Sequence, residues 1–260
     1  MPYHMSRSFR TVALLAAAAS LAGCETVNDY LGPSEKITIK GERIAVLNAD
    51  QAAKVDVAVA DVEVKLPAPV VNAEWAQPGG TASNALQHLS AKGDLNEIWS
   101  ANVGAGSSSS VRLMASPVVG GGKIFTLDAE ATVRAFDADT GNQIWSKDLT
   151  PEDRDSDKGF GGGVSFNNGR LYVSTGFGFV SALDANSGEQ VWKRDGQTPF
   201  RMAPVVQGGK VYVATQENQM LAINEADGKV LWDHRGIAET AAILRSNSAA
   251  VDGELVVAPY

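Results

Sequence analysis

The stretch Ala135-Phe-Asp137-Ala-Asp-Thr140-Gly141-Asn-Gln-Ile-Trp145 recurs as Ala182-Leu-Asp184-Ala-Asn-Ser187-Gly188-Glu-Gln-Val-Trp192 and as Ala222-Ile-Asn224-Glu-Ala-Asp227-Gly228-Lys-Val-Leu-Trp232. Each copy has the chemistry of a turn between two strands. The Asp or Asn side chain can accept hydrogen bonds from the turn amides, and Gly141, Gly188 and Gly228 can take the left-handed conformation that closes it. The Trp four residues later falls in the next strand, where its ring can fill a wedge between packed sheets. With Trp99 the tryptophans are separated by 46, 47 and 40 residues. That period fits one four-stranded unit.

Upstream of each turn a second pattern repeats. Ser116-Pro-Val-Val-Gly-Gly-Gly-Lys-Ile-Phe125, Val164-Ser-Phe-Asn-Asn-Gly-Arg-Leu-Tyr-Val173 and Ala203-Pro-Val-Val-Gln-Gly-Gly-Lys-Val-Tyr-Val213 are hairpins whose Gly or Asn-Gly tips accept positive φ. The first unit reads as strands around Pro117-Val118, Lys123–Leu127, Thr132–Asp137 and Gln143–Ser146. A sheet this small cannot bury both faces alone, so the units stack. The fold expected is all-β: a β-propeller of four-stranded blades, with about four blades of a larger ring. The propeller is assigned to 73–260, with blades around 111–149, 162–196 and 202–236 and an incomplete one at 246–260. Because Ser248–Tyr260 reads as the first hairpin of a unit, we expect this chain to be the N-terminal part of a longer protein; a half-ring closed by dimerisation would leave an unfinished sheet edge.

Residues 1–23 read as a lipoprotein signal peptide. Arg7 and Arg10 supply a positive start, Val12–Ala22 is apolar and too short to cross a bilayer, and Leu21-Ala22-Gly23 precedes Cys24, the single cysteine. Cys24 is the expected lipidation site, and no thiol remains for an internal disulfide. Glu25 follows it, rather than the aspartate of an inner-membrane retention signal, which favours the outer membrane. Residues 24–72 read as a tether with period-two pieces at Ile44–Leu47 and Val55–Val64, either a loose leash or an arm paired with the fold.

The formal net charge of −8 and the absence of a basic run after the first residues disfavour nucleic acid. Asp153-Arg-Asp155-Ser-Asp157-Lys-Gly159 departs from a calcium loop, because Gly falls one place late and Val164 stands where a bidentate Glu belongs. Gly120–Lys123 lacks the hydroxyl residue and helix of a phosphate loop. His4, His88 and His234 share no ligand spacing, and Gly-x-Ser-x-Gly does not occur. No catalytic, metal or cofactor residues are assigned. The Ser107–Ser110 run reads as a loop.

The repeat Ala-x-Asp-x-x-Thr/Ser-Gly-x-x-x-Trp resembles the tryptophan-docking repeat of the pyrroloquinoline-quinone propeller superfamily. Together with the signal peptide, Cys24, the tether and Trp75-Ala-Gln-Pro-Gly-Gly, it is similar to the BamB family of lipoproteins of the outer-membrane β-barrel assembly machinery. The resemblance implies a non-enzymatic scaffold without cofactor, facing the periplasm and binding a BamA-like central subunit. A partner-binding stretch of that family reads Leu-Arg before Ser-Ala. Leu244-Arg245-Ser246-Asn247-Ser248-Ala249 matches it, so Leu244 and Arg245 are the candidate contacts, although Ala242 stands where the family has a further leucine. An ordinary blade linker with Leu244 tucked into the core is the alternative. Two other functions stay open: a quinone-dependent dehydrogenase, whose adjacent-cysteine hallmark is absent, and an envelope polysaccharide or peptide binder.

Overall fold

A computed structural model of the chain describes residues 62–91, 93–156, 159, 161–237 and 248–259. The chain divides into two compact units, Met1–Glu63 and Val64–Tyr260. The first lies outside the described residues apart from Val62 and Glu63, and with it lie Cys24 and the period-two pieces up to residue 61.

The second unit is built of antiparallel meanders. Blade 1 comprises β1 (Val118–Gly120), β2 (Lys123–Leu127), β3 (Thr132–Asp137) and β4 (Gln143–Asp148). Blade 2 comprises β5 (Gly162–Asn167), β6 (Arg170–Thr175), β7 (Phe179–Asp184) and β8 (Gln190–Asp195). Blade 3 comprises β9 (Val205–Gln207), β10 (Lys210–Ala214), β11 (Gln219–Asn224) and β12 (Val230–Arg235), and β13 (Ala250–Asp252) pairs with β14 (Leu255–Val257) as the first hairpin of a fourth. The last strand of blade 1 extends beyond Ser146, because Lys147 and Asp148 continue the ladder opposite Val133 and Thr132.

Sequence chemistry explains the turns. Gly121 and Gly122, Asn168 and Gly169, and Gly208 and Gly209 all have positive φ at the hairpin tips, where two-residue turns match the twist of the strands. Asp137 Oδ1 accepts from the amides of Asp139 (3.2 Å) and Thr140 (2.8 Å) while Gly141 stands at φ 73°. Asp184 and Gly188 repeat this arrangement.

Within each blade one row of residues crosses three strands: Phe125, Ala135 and Trp145; Tyr172, Ala182 and Trp192; Tyr212, Ala222 and Trp232. The central alanine is small enough for the flanking rings to meet above it, with centroids 6.1, 6.0 and 5.9 Å apart. A register shift precedes Trp145, Trp192 and Trp232 and leaves Ile144, Val191 and Leu231 unpaired.

Hydrophobic residues gather between sheets. Val118, Phe125 and Val133 of blade 1 pack with Val164, Leu171 and Leu183 of blade 2. Tyr172, Val180 and Trp192 pack with Val206, Val211 and Ile223 of blade 3, and Met202, Tyr212 and Met220 with Ala249 and Val251. The first strands also neighbour one another, β1 beside β5, β5 beside β9 and β9 beside β13. Sheets stacked face to face with adjoining inner strands form part of a β-propeller. The outer strands carry Lys147 and Asp148, Lys193 to Asp195, and Asp233 to Arg235, charges that discourage edge-to-edge association.

Candidate functional site

Two ends of the stacked blades are distinguished by what holds them. At the end carrying the glycine turns, residues 75–82 run as a strap across four inner strands. Trp75 exchanges both backbone hydrogen bonds with Val119 of β1, each 2.8 Å. The Ala76 carbonyl accepts from Phe166 of β5 at 2.7 Å, and the Ala82 carbonyl accepts from Val251 of β13 at 2.7 Å. Between them the side-chain amide of Gln77 imitates a peptide group: Nε2 donates to the Val206 carbonyl (2.9 Å) and Oε1 accepts from the Val206 amide (3.2 Å).

Val119, Phe166, Val206 and Val251 are each the penultimate residue of an inner strand. The strap therefore satisfies equivalent edge groups on four successive units. Gly80, at φ 81°, turns the strap back so that its amide donates to the Gln77 carbonyl at 2.7 Å. The motif Trp75-Ala-Gln-Pro-Gly-Gly thus has a structural role that only the fold discloses.

Adjacent blades are clamped by the repeat itself. Trp145 and Trp192 donate from Nε1 to the carbonyls of Ala185 and Glu225 on the next blade at 3.1 and 3.0 Å, and Trp99, which precedes blade 1, donates likewise to Ala138 of blade 1 at 3.1 Å. The indoles cover Gly141, Gly188 and Gly228, where an added Cβ would lie 2.6, 2.8 and 2.9 Å from a ring atom. Trp232 is 39% exposed and Trp192 8%.

Glu225 occupies the position held by Ala138 and Ala185 in the other repeats. Its carboxylate accepts from Tyr172 Oη (2.9 Å) and Asn167 Nδ2 (2.7 Å). Burial, followed by the hydrogen bond and charge of Glu225, pushes the Tyr172 phenol well above its ordinary value. The substitution of Glu for Ala at an otherwise uniform repeat position was the available sequence signal for this clamp.

At the opposite end, the buried Asp128 carboxylate accepts from the amides of Ala105, Glu130 and Thr132 and pairs with Arg134 Nη1 at 2.6 Å. The same Nη1 donates to the Val103 carbonyl at 2.9 Å. Gly104 crosses directly over this pair, where a Cβ would fall 2.1 Å from Arg134 Nη1. The linker after blade 3 starts from this end as well. Gly236 donates to the Asn218 carbonyl and Asn218 Nδ2 donates to the Ile237 carbonyl, both at 2.9 Å.

Leu244 and Arg245, the sequence-predicted partner contacts, lie outside the described residues. Asp157 and Lys158 of the loop compared with calcium sites do too, while Asp153 and Arg154 are exposed. Among the described residues no three His, Cys, Asp or Glu side chains gather to hold a metal ion. Ser107–Ser110 forms a local turn, with the Ser108 amide donating to Val111 and the Ser110 amide to Ser108 Oγ.

Stacked four-stranded sheets, inner-strand adjacency and interblade tryptophan clamps define a partial β-propeller of tryptophan-docked repeats. The chain belongs to the family described as outer membrane protein assembly factor BamB, whose profile it matches over residues 50–154 and 129–260. It is 32% identical over 150 residues to the uncharacterized protein RP232 of Rickettsia prowazekii, a match covering 57% of this chain and 36% of that protein. It is 31% identical over 148 residues to the outer membrane protein assembly factor BamB of Yersinia pestis, covering 52% and 35% respectively. The matched stretch thus spans about a third of these relatives' length.

Among solved structures, BamB from Moraxella catarrhalis is similar with a TM-score of 0.38 and 20% identity, over 44% of this chain and 34% of that one. A quinohemoprotein alcohol dehydrogenase from Pseudomonas putida is similar with a TM-score of 0.49 and 24% identity, over 66% and 29%.

Proposed function

We propose that this chain is a non-enzymatic scaffold of the outer-membrane β-barrel assembly machinery, anchored through acyl chains on Cys24 and facing the periplasm. Its partner is the central BamA-like subunit, bound through the linker that carries Leu244 and Arg245. The observation that carries this reading is the family match across residues 50–260, which includes that linker. Secretion and lipidation rest on the residues around Cys24.

The physical account is a platform of clamped blades beside the segment that carries Leu244 and Arg245. Strap, interblade indoles and the Asp128–Arg134 pair hold the blades together. The linker then needs little ordering of its surroundings when it docks, and preorganisation of this kind strengthens binding by lowering its entropic cost. Arg245 offers forked donors and Leu244 apolar area, a combination common at interface hot spots.

The test is affinity capture of the lipoprotein from detergent-solubilised envelopes, with the co-purified proteins identified by mass and the eluate scanned for bound quinone. Recovery of the assembly subunit without quinone supports the scaffold, and loss of that recovery with Leu244→Ala plus Arg245→Glu supports the contact. Unchanged recovery with the double variant removes the site assignment. Stoichiometric quinone without partner makes the protein an oxidoreductase instead.

A further inference from the structure

The outer strands β4, β8 and β12 differ from one another at their ends. Their pairing makes Ser146, Lys193 and Asp233 equivalent, then Lys147, Arg194 and His234, then Asp148, Asp195 and Arg235. Blades 1 and 2 thus end on an aspartate where blade 3 ends on an arginine.

Alternation along a strand decides which way each charge points. Trp192 docks on Glu225 and Gly228 of blade 3, so Arg194, two residues on, faces blade 3 as well, while Lys193 and Asp195 face away. On β12, Trp232 lies by Tyr212, which packs with Ala249 and Val251. Asp233 and Arg235 are on the other face, paired with Leu221 and Gln219 and turned toward blade 2. The change of sign at Arg235 therefore sets two guanidinium groups, one from each blade, on a single interblade groove.

That groove has a volume of about 310 Å³, and Arg194, Gln197, Leu221, Val230, Asp233 and Arg235 are among its walls. The neighbouring acids are already engaged. Asp195 pairs with Lys193 at 3.3 Å, and Asp233 Oδ2 accepts from Gln219 Nε2 at 2.9 Å. Neither Arg194 nor Arg235 has an ion pair or a side-chain hydrogen bond among the described residues. The rim between blades 1 and 2 is satisfied from within, since Lys193 meets Asp195 and lies 4.2 Å from the centre of the Phe179 ring. Two like charges on one cleft repel each other unless an anion comes between them, and here they stand in a chain of formal net charge −8.

We propose that the groove between β8 and β12 is a docking site for a glutamate side chain on an acidic, extended segment of a partner protein, with Arg194 and Arg235 as its clamp. The planar fork of a guanidinium matches a carboxylate in two hydrogen bonds. Leu221 and Val230 offer apolar surface to the glutamate methylenes. Asp233 in the same groove repels a doubly charged phosphate more than a singly charged carboxylate. None of these residues belongs to the linker that carries Leu244 and Arg245, so either assignment can fail without the other.

The experiment uses the whole chain carrying Cys24→Ser, which keeps it free of lipid. A fluorescent peptide of alternating Gly and Glu is titrated with it at low ionic strength, where surface charges are least screened, and binding is read as anisotropy. The Glu peptide should bind and its Gln counterpart should not. Arg194→Gln and Arg235→Asp should each weaken binding about tenfold, the effect of losing a charge-assisted hydrogen bond. Their unfolding midpoints should stay unchanged, because both side chains are exposed. Lys147→Gln, at the position in blade 1 equivalent to Arg194, should bind as the unmodified chain does. An equal loss with Lys147→Gln would mean diffuse attraction, and displacement of the peptide by an equal concentration of inorganic phosphate would mean a phosphate site. Either result, or binding that is absent or indifferent to both arginine variants, would overturn the proposal.

Discussion

Trp192 of blade 2 donates its indole N–H to the backbone carbonyl of Glu225 in blade 3 at 3.0 Å. The same ring lies against Gly228, where a Cβ would be 2.9 Å from Cε3. Gly228 has φ 73°. One glycine therefore answers two demands, a left-handed turn and a flat seat for the neighbouring ring, and the repeat keeps Gly and Trp together because each serves the other's blade.

Trp192→Ala should cost about 3–5 kcal/mol, the range for emptying a large buried aromatic site. Gly228→Ala should cost about 1–3 kcal/mol through its positive φ, with a clash against the ring added. Urea unfolding of both single variants and the pair should show less than additive loss, since the clash disappears with the ring. Strict additivity would mean that the two residues do not communicate.

Tyr172 gives an alkaline limit to stability. Its folded-state pKa is raised above the unfolded value of 10.0 by burial and by Glu225. The stabilisation is complete below that unfolded value and is lost as pH climbs from it toward the folded value. Tyr172→Phe should lower stability at pH 7 by about 1 kcal/mol through the lost hydrogen bond to Glu225. It should also flatten the decline above pH 10, as read from denaturation midpoints across pH.

At acid pH the turn carboxylates act in the other direction. Hydrogen bonds from Thr140 hold Asp137 below the usual carboxylate value, and the amides of Ser187 and Asn186 do the same for Asp184. Their contribution is present above the unfolded value of 3.8 and is lost as pH falls through the lower folded values. Replacing both with Ala should reduce the acid dependence of the thermal midpoint below about pH 4. A curve parallel to that of the unmodified protein would refute this role.

Gln77→Leu should leave the Val206 amide and carbonyl without their partner, at about 1–3 kcal/mol for an unsatisfied buried polar group. Exchange at the Val206 amide should accelerate more than at the neighbouring amides of blade 3. If protection at Val206 is unchanged, the strap does not secure this strand.

The legible part of this molecule was the part written within a few residues. Asp137 and Gly141 are near enough for a side chain to cap the turn it belongs to, and Asn168-Gly169 specifies a hairpin by its own φ angles. The repeated hairpin glycines and the spacing of Trp99, Trp145, Trp192 and Trp232 then pointed to stacked four-stranded units. Less legible was the row Phe125-Ala135-Trp145, because register across strands depends on the shift just before the tryptophan.

From the sequence alone came the blade: its four strands, its turn chemistry and the need for neighbours on both faces. Those features rest on local dihedral preferences and side-chain bonds spanning two to four residues. Tertiary structure alone decided which partner each distant group met: Gln77 with Val206, Tyr172 with Glu225, Trp145 with Ala185. An amide side chain can bond to almost any backbone, and a tryptophan can cover any open glycine. Only the stacking of the blades brings one particular partner within hydrogen-bonding distance.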